Sequence, residues 1–379
     1  MNIIKLPFIN ELDRLLTQEN QFIKVIIGPR QVGKTTTIKK FLEEKFTGQY
    51  SYESADLIFN SSPEWLHHLW QKAFQEKKLL VIDEIQKCQN WPEVIKALWD
   101  KNPQKFILLG SSSLAIQKGL SESLAGRYQL IHAHHWNFEE SELAYGLTFD
   151  EYLRCGGYPG SYQFKGMERD WADYVKNSII QSVIEKDILL YQNIKNPSLF
   201  RQAFEIIMAY PAAEISYNKL LGQIQEKGNI DLVKYYLSLY EGAFLLRVLH
   251  KYSENTLKIK SSSPKILPLA PCLYYLTLRS PYSSQERGRV FELVVGSILN
   301  RLSFEYEMYY WRESNSEVDY VLRKGKNVIA IEVKSGKKKS DKGLLAFKEK
   351  FPHAKILIID SENYFRFERA PLAFIENTR

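Results

Sequence analysis

Cysteine is scarce in this sequence. Its 379 residues include three, Cys88, Cys155 and Cys272. They are too far apart to form a C-x-x-C pair, which speaks against a disulfide framework and a thiolate zinc site and fits a reducing compartment. Long apolar runs are missing as well. None approaches the roughly 18 residues that span a bilayer. Residues 1–10 carry one lysine, Pro7 and no extended apolar stretch, so they do not read as a signal peptide. A cytoplasmic protein without a membrane partner is expected. Internal repeats and low-complexity tracts are also missing. Charge is only mildly one-sided: 51 basic against 44 acidic residues give +7, which permits a polyanionic partner without requiring one.

Apolar residues, by contrast, are plentiful. They make up 45% of the chain, with 23 Tyr and 20 Phe, and the length suits two or three domains. Phe22 to Ile27, Leu79 to Ile82 and Phe106 to Leu109 are compact apolar runs of the kind found in buried parallel strands. Helical patterns lie between them over Thr35 to Phe46, Glu64 to Gln75 and Pro92 to Asp100. Strands alternating with helices predict an α/β parallel sheet. After Phe149 the pattern turns helical, with a turn-rich break at Gly156-Gly157-Tyr158-Pro159-Gly160. Three helices and a strand over Pro197 to Tyr252 suit a winged-helix module. Glu254 to Pro264 is the linker candidate. The expected divisions are an ATPase domain over 1–149, a helical connector over 150–196, a winged-helix-like module over 197–255 and a C-terminal α/β domain over 256–379.

Gly28-Pro29-Arg30-Gln31-Val32-Gly33-Lys34-Thr35 fits G-x-x-x-x-G-K-[ST], placed after a buried strand and before a helix. The glycines Gly28 and Gly33 let the backbone amides curl around phosphate oxygens, and the helix adds its positive end. Lys34 would reach the β- and γ-phosphates of ATP, and Thr35 would ligate Mg²⁺. Arg30 and Thr36 complete the expected nucleotide contacts. The strand Leu79 to Ile82 ends in Asp83 and Glu84. Asp83 would hold Mg²⁺ through water, and Glu84 would polarise the attacking water. Ser111 or Ser112, after Gly110, would sense the γ-phosphate or simply end a strand. Arg127 would stabilise transition-state charge, in cis or from a neighbouring subunit, or would be a salt-bridged surface residue.

Together G-P-R-Q-V-G-K-T-T, V-I-D-E-I-Q, G-S-S-S, L-A-G-R-Y and G-G-Y-P resemble a widespread prokaryotic AAA-type ATPase family. Its members carry a C-terminal domain of uncharacterised function. The resemblance covers nearly the whole chain and implies ATP binding and hydrolysis, without a settled cellular role. AAA relatives assemble into rings, so a homo-oligomer is one partner expectation. The chain departs from this family over Lys265 to Leu276, where relatives carry Y-F-x-D-x-G.

Further on, Glu317 to Lys334 reads as a hairpin around Gly325-Lys326, glycine first as a type II′ turn prefers. Lys324 then pairs with Asn327, and counting outward sets Asp319 opposite Glu332. Strand alternation puts Lys334 on their face and leaves Val318, Tyr320, Leu322, Ile329, Ile331 and Val333 as a core face. This resembles the active-site hairpin of PD-(D/E)xK nucleases, with Val318 in place of their proline. Asp319 and Glu332 would hold Mg²⁺, joined by Glu292 from the preceding helix, and Lys334 would orient the attacking water. Glu292 lies among apolar residues and needs a cation nearby. The bland alternative is a solvated charge network on a strand face.

Lys337-Lys338-Lys339 is a solvated loop or a phosphate contact. The proposed recognition helix, Asn229 to Tyr240, offers little beyond Lys234 for reading a groove, so packing or oligomerisation suits it better. His132, His134 and His135 read as structural. Two functions follow. One is an ATPase coupled to a metal-dependent nuclease acting on nucleic acid, DNA in preference to RNA. The other is an ATP-dependent switch or scaffold whose nuclease-like domain binds without cutting.

Overall fold

The computed structural model describes residues 4–56, 62–110, 113–224, 229–255, 259, 262–278, 283–336 and 341–377. It divides into two compact units. The first comprises residues 1–135, 143–145 and 176–193, and the second the remainder.

The first unit is built on five parallel strands: β1 (Ile23–Ile27), β2 (Tyr50–Ser54), β3 (Leu79–Asp83), β4 (Phe106–Leu109) and β5 (Tyr128–His132). Their order is β2-β3-β4-β1-β5. The three strands expected from apolar runs, β1, β3 and β4, are buried at every position, as strands covered on both faces must be. β2 is half-buried throughout. Its Y-S-Y-E-S sequence alternates weakly, as suits an edge strand. Flanking helices bury single stripes, such as Leu66, Leu69, Trp70 and Ala73 on Pro63–Glu76. Each buried leucine in such a stripe contributes about 1.5–3 kcal/mol. Because all five strands run one way, the loops after β1, β3 and β4 share one edge of the sheet.

The expected connector over 150–196 is divided. Residues 176–193 join the first unit, and residues 146–175 the second. The first-unit part continues a helix wound with i→i+5 hydrogen bonds over Tyr174–Gln181, which starts two residues before the division, and again over Ile184–Leu189. Its Ile179, Val183, Ile184 and Ile188 are buried, and the second stretch lies against Ser113–Ser123. Apolar burial, not turn composition, draws the boundary.

In the second unit the three expected helices form, at Pro197–Met208, Tyr217–Ile224 and Ile230–Gly242. Tyr240 of the third stacks on Phe200 of the first and Tyr236 meets the same ring edge-on, which is the packing role. The strand that follows, β6 (Leu246–Lys251), is not a free wing. It pairs with β7 (Lys265–Pro268) and with β8 (Glu307–Glu313). With β9 (Ser316–Lys324), β10 (Asn327–Lys334) and β11 (Lys355–Asp360) these make one mixed sheet, ordered β11-β10-β9-β8-β6-β7. The linker candidate over 254–264 lies partly outside the described residues.

The hairpin has the expected register, from Lys324 opposite Asn327 to Tyr320 opposite Ile331. Gly325 has φ 60° while Lys326 has no positive φ, as a II′ turn requires. The faces differ from expectation. Tyr309 pairs with Val321 but Trp311 with Val318, so an extra β9 residue bulges between them. A bulge shifts alternation by one. Val318 therefore joins Val321 and Ala330 in the core beneath Lys342–Lys350. Tyr320, Leu322, Ile329, Ile331 and Val333 pack with Ser284–Asn300 on the other side. Among the described residues both faces of the hairpin carry packed apolar side chains.

Candidate active site

The phosphate loop leaves β1 at Gly28. A Cβ there would meet the Ala133 carbonyl oxygen at 2.3 Å, so no larger residue fits. Gly33, at φ 85°, makes the left-handed turn into Lys34–Lys45, whose first amides have no partner within the helix. Lys34 is buried, and its ammonium donates to the carbonyls of Gly28 (2.9 Å) and Pro29 (2.6 Å). Burial lowers its pKa to about 8, against the longer-range pull of Glu84, Asp187 and Asp83.

Thr35 Oγ1 donates to Asp83 Oδ2 at 2.7 Å. That bond joins two motifs 48 residues apart in sequence. Tyr52 donates its hydroxyl to the same oxygen, and the Glu84 amide donates to Oδ1 at 2.9 Å. Burial and Asp83 together push the Tyr52 phenol upward, so it remains a donor. Glu84 itself sits in the left-handed region at φ 55°, a conformation that costs a non-glycine residue on the order of 1 kcal/mol. Its carboxylate accepts from Gln86 Nε2 at 2.5 Å. Thr36 is exposed on the first helical turn. The hard oxygens of Thr35 and Asp83, in contact beside the loop, fit Mg²⁺.

β4 runs between β1 and β3 and ends at Leu109, so Gly110 lies between the two motifs. Ser111 and Ser112, the expected γ-phosphate sensors, lie outside the described residues. Arg127 is placed away from this edge. It precedes β5, and its carbonyl accepts from Ile23 at the start of β1, so one strand, roughly 16 Å, separates it from the loop. Its guanidinium makes a forked pair with Asp100 (2.7 and 3.0 Å). Arg127 is thus a salt-bridged residue and does not reach the nucleotide loop of its own chain. Arg30 does meet a partner that sequence reading missed. Its Nε donates to Asp187 Oδ2 at 2.7 Å, across 157 residues.

β5 ends at His132. His132 is held neutral by burial, its pKa lowered to about 4, and its ring stacks on His134 at 6.2 Å.

In the second unit the carboxylates converge on a lysine. Lys265, fully buried at the start of β7, donates to Glu292 Oε1 at 2.7 Å. It also lies 3.7 Å from Glu317 and 3.9 Å from Asp319. Burial alone would lower its pKa, but Glu292, Asp319 and Glu317 outweigh it and raise the value. Asp319 Oδ2 accepts the Val333 amide at 2.8 Å, while burial and then Glu292 push its carboxyl well upward. Lys334, expected to orient water, pairs instead with Asp341. Glu332 is half-buried and acts on Asp319 through space. The expected metal set Glu292, Asp319 and Glu332 is therefore redistributed, because the cation that Glu292 needs is an ammonium. Among the described residues no group of three such side chains is arranged to hold a metal ion. In this arrangement Lys265 supplies the counter-charge to Glu292 and Asp319. Lys337, Lys338 and Lys339 lie outside the described residues. No helix among those described is long and apolar enough to cross a membrane.

Comparison with known proteins bears on both units. Residues 20–142 match the model of an AAA domain. Residues 146–279 and 287–375 each match a domain of unknown function (DUF8612 and DUF4143). An uncharacterised protein of Methanocaldococcus jannaschii is 26% identical over 82% of this chain and 74% of its own length. One of Haemophilus influenzae is 21% identical over 86% of this chain and 85% of its own. Among solved structures, a Walker-type ATPase of Pyrococcus abyssi aligns over 73% of this chain and 96% of its own. Its TM-score is 0.51 at 13% identity, a likeness of fold. The chain thus carries an AAA-type P-loop ATPase domain followed by two domains of unknown function.

Proposed function

We propose that this protein hydrolyses Mg·ATP in its first unit and uses the cycle as a switch for a C-terminal half that binds without cutting. The observation that carries the first part is the 2.7 Å bond from Thr35 to Asp83, which sets loop, lysine and strand-end acids around one point. The loop amides and Lys34 bind the β- and γ-phosphates, the ammonium exchanging its carbonyl partners for phosphate oxygens. Thr35 and Asp83 would hold Mg²⁺, which would supply charge neutralisation across those phosphates. Glu84 orients the attacking water and takes its proton. Replacing Glu84 by Gln should lower kcat at least about 100-fold while leaving ATP affinity within about threefold. An unchanged kcat, or a loss confined to affinity, would overturn the assignment.

For the second part, Lys265 supplies the counter-charge that a nuclease-like site would take from metal. Its 2.7 Å contact with Glu292 favours binding over cleavage. Nucleic acid, DNA before RNA, is the partner class that a net charge of +7 accommodates. The second reading is a working nuclease, favoured by the hairpin register up to Tyr320 opposite Ile331, which counted one residue further would set Asp319 opposite Glu332. Plasmid DNA with Mg²⁺ or Mn²⁺ separates the two. Salt-sensitive binding with intact plasmid supports the switch. Cleavage lost in Asp319→Ala and Glu332→Ala, but kept in Lys34→Ala, supports the nuclease.

A further inference from the structure

With Arg127 away from the loop of its own chain, a cation supplied in cis for the charge that builds on the γ-phosphate during transfer has to come from another residue. We infer that Arg30 is that cation, supplied in cis by the phosphate loop itself, and that Asp187 is the positioning residue that aims it. The inference rests on the ATPase reading above and adds to it the residues that stabilise the transition state.

Three observations converge on this pair. Arg30 is the third residue of the loop, and its charge acts on both Glu84 and Lys34. It follows Pro29, whose carbonyl accepts the Lys34 ammonium at 2.6 Å, so its backbone adjoins the group that would grip the phosphates. Only its Nε is engaged by Asp187, at 2.7 Å. A guanidinium has five N–H donors in a rigid fork, so a partner on one edge fixes the direction of the rest. Asp187 is also built for the purpose. Its side chain is 4% exposed, and it sits on a stretch with i→i+5 hydrogen bonds, a winding that recurs at functional sites. The same arm grips the next loop residue, since Gln31 Nε2 donates to the Ser178 carbonyl at 2.7 Å. Two successive loop residues are thus tied to residues 176–193, far outside the nucleotide motifs.

The test uses the full chain with Arg30→Ala, Arg30→Lys, Asp187→Asn and the double variant Arg30→Ala/Asp187→Asn. Turnover is read beside affinities for Mg·ADP and for Mg·ADP with aluminium fluoride, which mimics the transferring phosphoryl group. Arg30→Ala should lower kcat about 1,000-fold, the scale of an arginine acting at a γ-phosphate. It should weaken the aluminium fluoride complex by a similar factor and leave Mg·ADP within about threefold. Arg30→Lys should recover only part of the loss, because an ammonium lacks the fork. Asp187→Asn should cost on the order of 10–100-fold in kcat when Arg30 is present and nothing further when it is absent. The inference is overturned if Arg30→Ala keeps kcat within threefold. Equal weakening of both complexes, or an Asp187→Asn cost independent of Arg30, would reduce the pair to a structural latch and overturn it too. Parent protein that binds Mg·ATP but never turns it over would remove the ATPase reading, and this inference with it. An active parent indifferent to Arg30 removes the inference alone.

Discussion

Two lysines in this molecule are buried among acids, and they have opposite fates. Lys34 in the first unit meets backbone carbonyls, and its acids act from a distance, so burial prevails and its pKa falls to about 8. Lys265 in the second unit touches Glu292 and has Glu317 and Asp319 within 4 Å, so attraction prevails and its pKa rises. The first ammonium lacks full compensation and gains by meeting an anion. The second is already neutralised and serves as a counter-ion. A lysine near carboxylates is therefore a ligand-binding group or a structural one according to contact distance, because Coulomb energy falls with separation and with solvent.

That contrast can be broken most sharply at Lys265. Lys265→Met strands Glu292 and Asp319 in an apolar core and should destabilise the second unit by about 3–5 kcal/mol. Urea unfolding measures this, with ATP affinity unchanged. A loss below about 1 kcal/mol would show that the carboxylates are not held by this lysine. The matching change in the first unit should act mainly on ligand binding. Lys34→Met strands no contacting acid, and the loss of its bonds to the Gly28 and Pro29 carbonyls is offset by removing a poorly compensated charge, so the stability loss should stay well below that of Lys265→Met. Mg·ATP affinity should drop on the order of 100-fold, as calorimetry would record. Unfolding of the variant, or undiminished affinity, would erase the distinction.

A smaller effect distinguishes the units by pH. His132 in the first has its pKa lowered by burial from 6.5 to about 4. Below pH 6.5 the unfolded ring takes a proton that the folded ring refuses, so stability is lost as pH falls. Glu368 in the second has its pKa raised by burial from 4.5 to about 7. Its folded form keeps a proton through that range, so stability is gained as pH falls from 7 to 4.5. Between pH 7 and 5 each contributes on the order of 1–2 kcal/mol, with opposite sign. Urea midpoints of His132→Gln and Glu368→Gln, compared with the parent at both pH values, isolate the two terms. Shifts of the same sign would contradict the assignment.

Much of the first unit was legible because its chemistry is local. Gly28 to Thr35 and Leu79 to Glu84 are short motifs whose strand, loop and helix context is written beside them. Tyr52 was missed because Y-S-Y-E-S alternates too weakly to announce a strand, although that strand delivers a hydroxyl to Asp83. The hairpin register in the second unit was legible for the same local reason, a glycine-led turn. Its faces were not. One bulged residue in β9, set by pairing with β8, moved Val318 to the other core. Lys265 stood in a stretch marked only as unlike the family pattern, with nothing nearby to tie it to an acid 27 residues on.

The amino-acid order alone determined the nucleotide loop, the acids that end the second buried run, and which residues the C-terminal turn sets opposite each other. Each depends on spacing within a few residues, where backbone geometry allows few alternatives. Tertiary structure decided which cation faces which acid. It sent Arg127 to Asp100, Arg30 to Asp187 and Lys265 to Glu292. Ion pairing is governed by ångström-scale separation and burial, and a chain folded over 157 residues carries no local record of either.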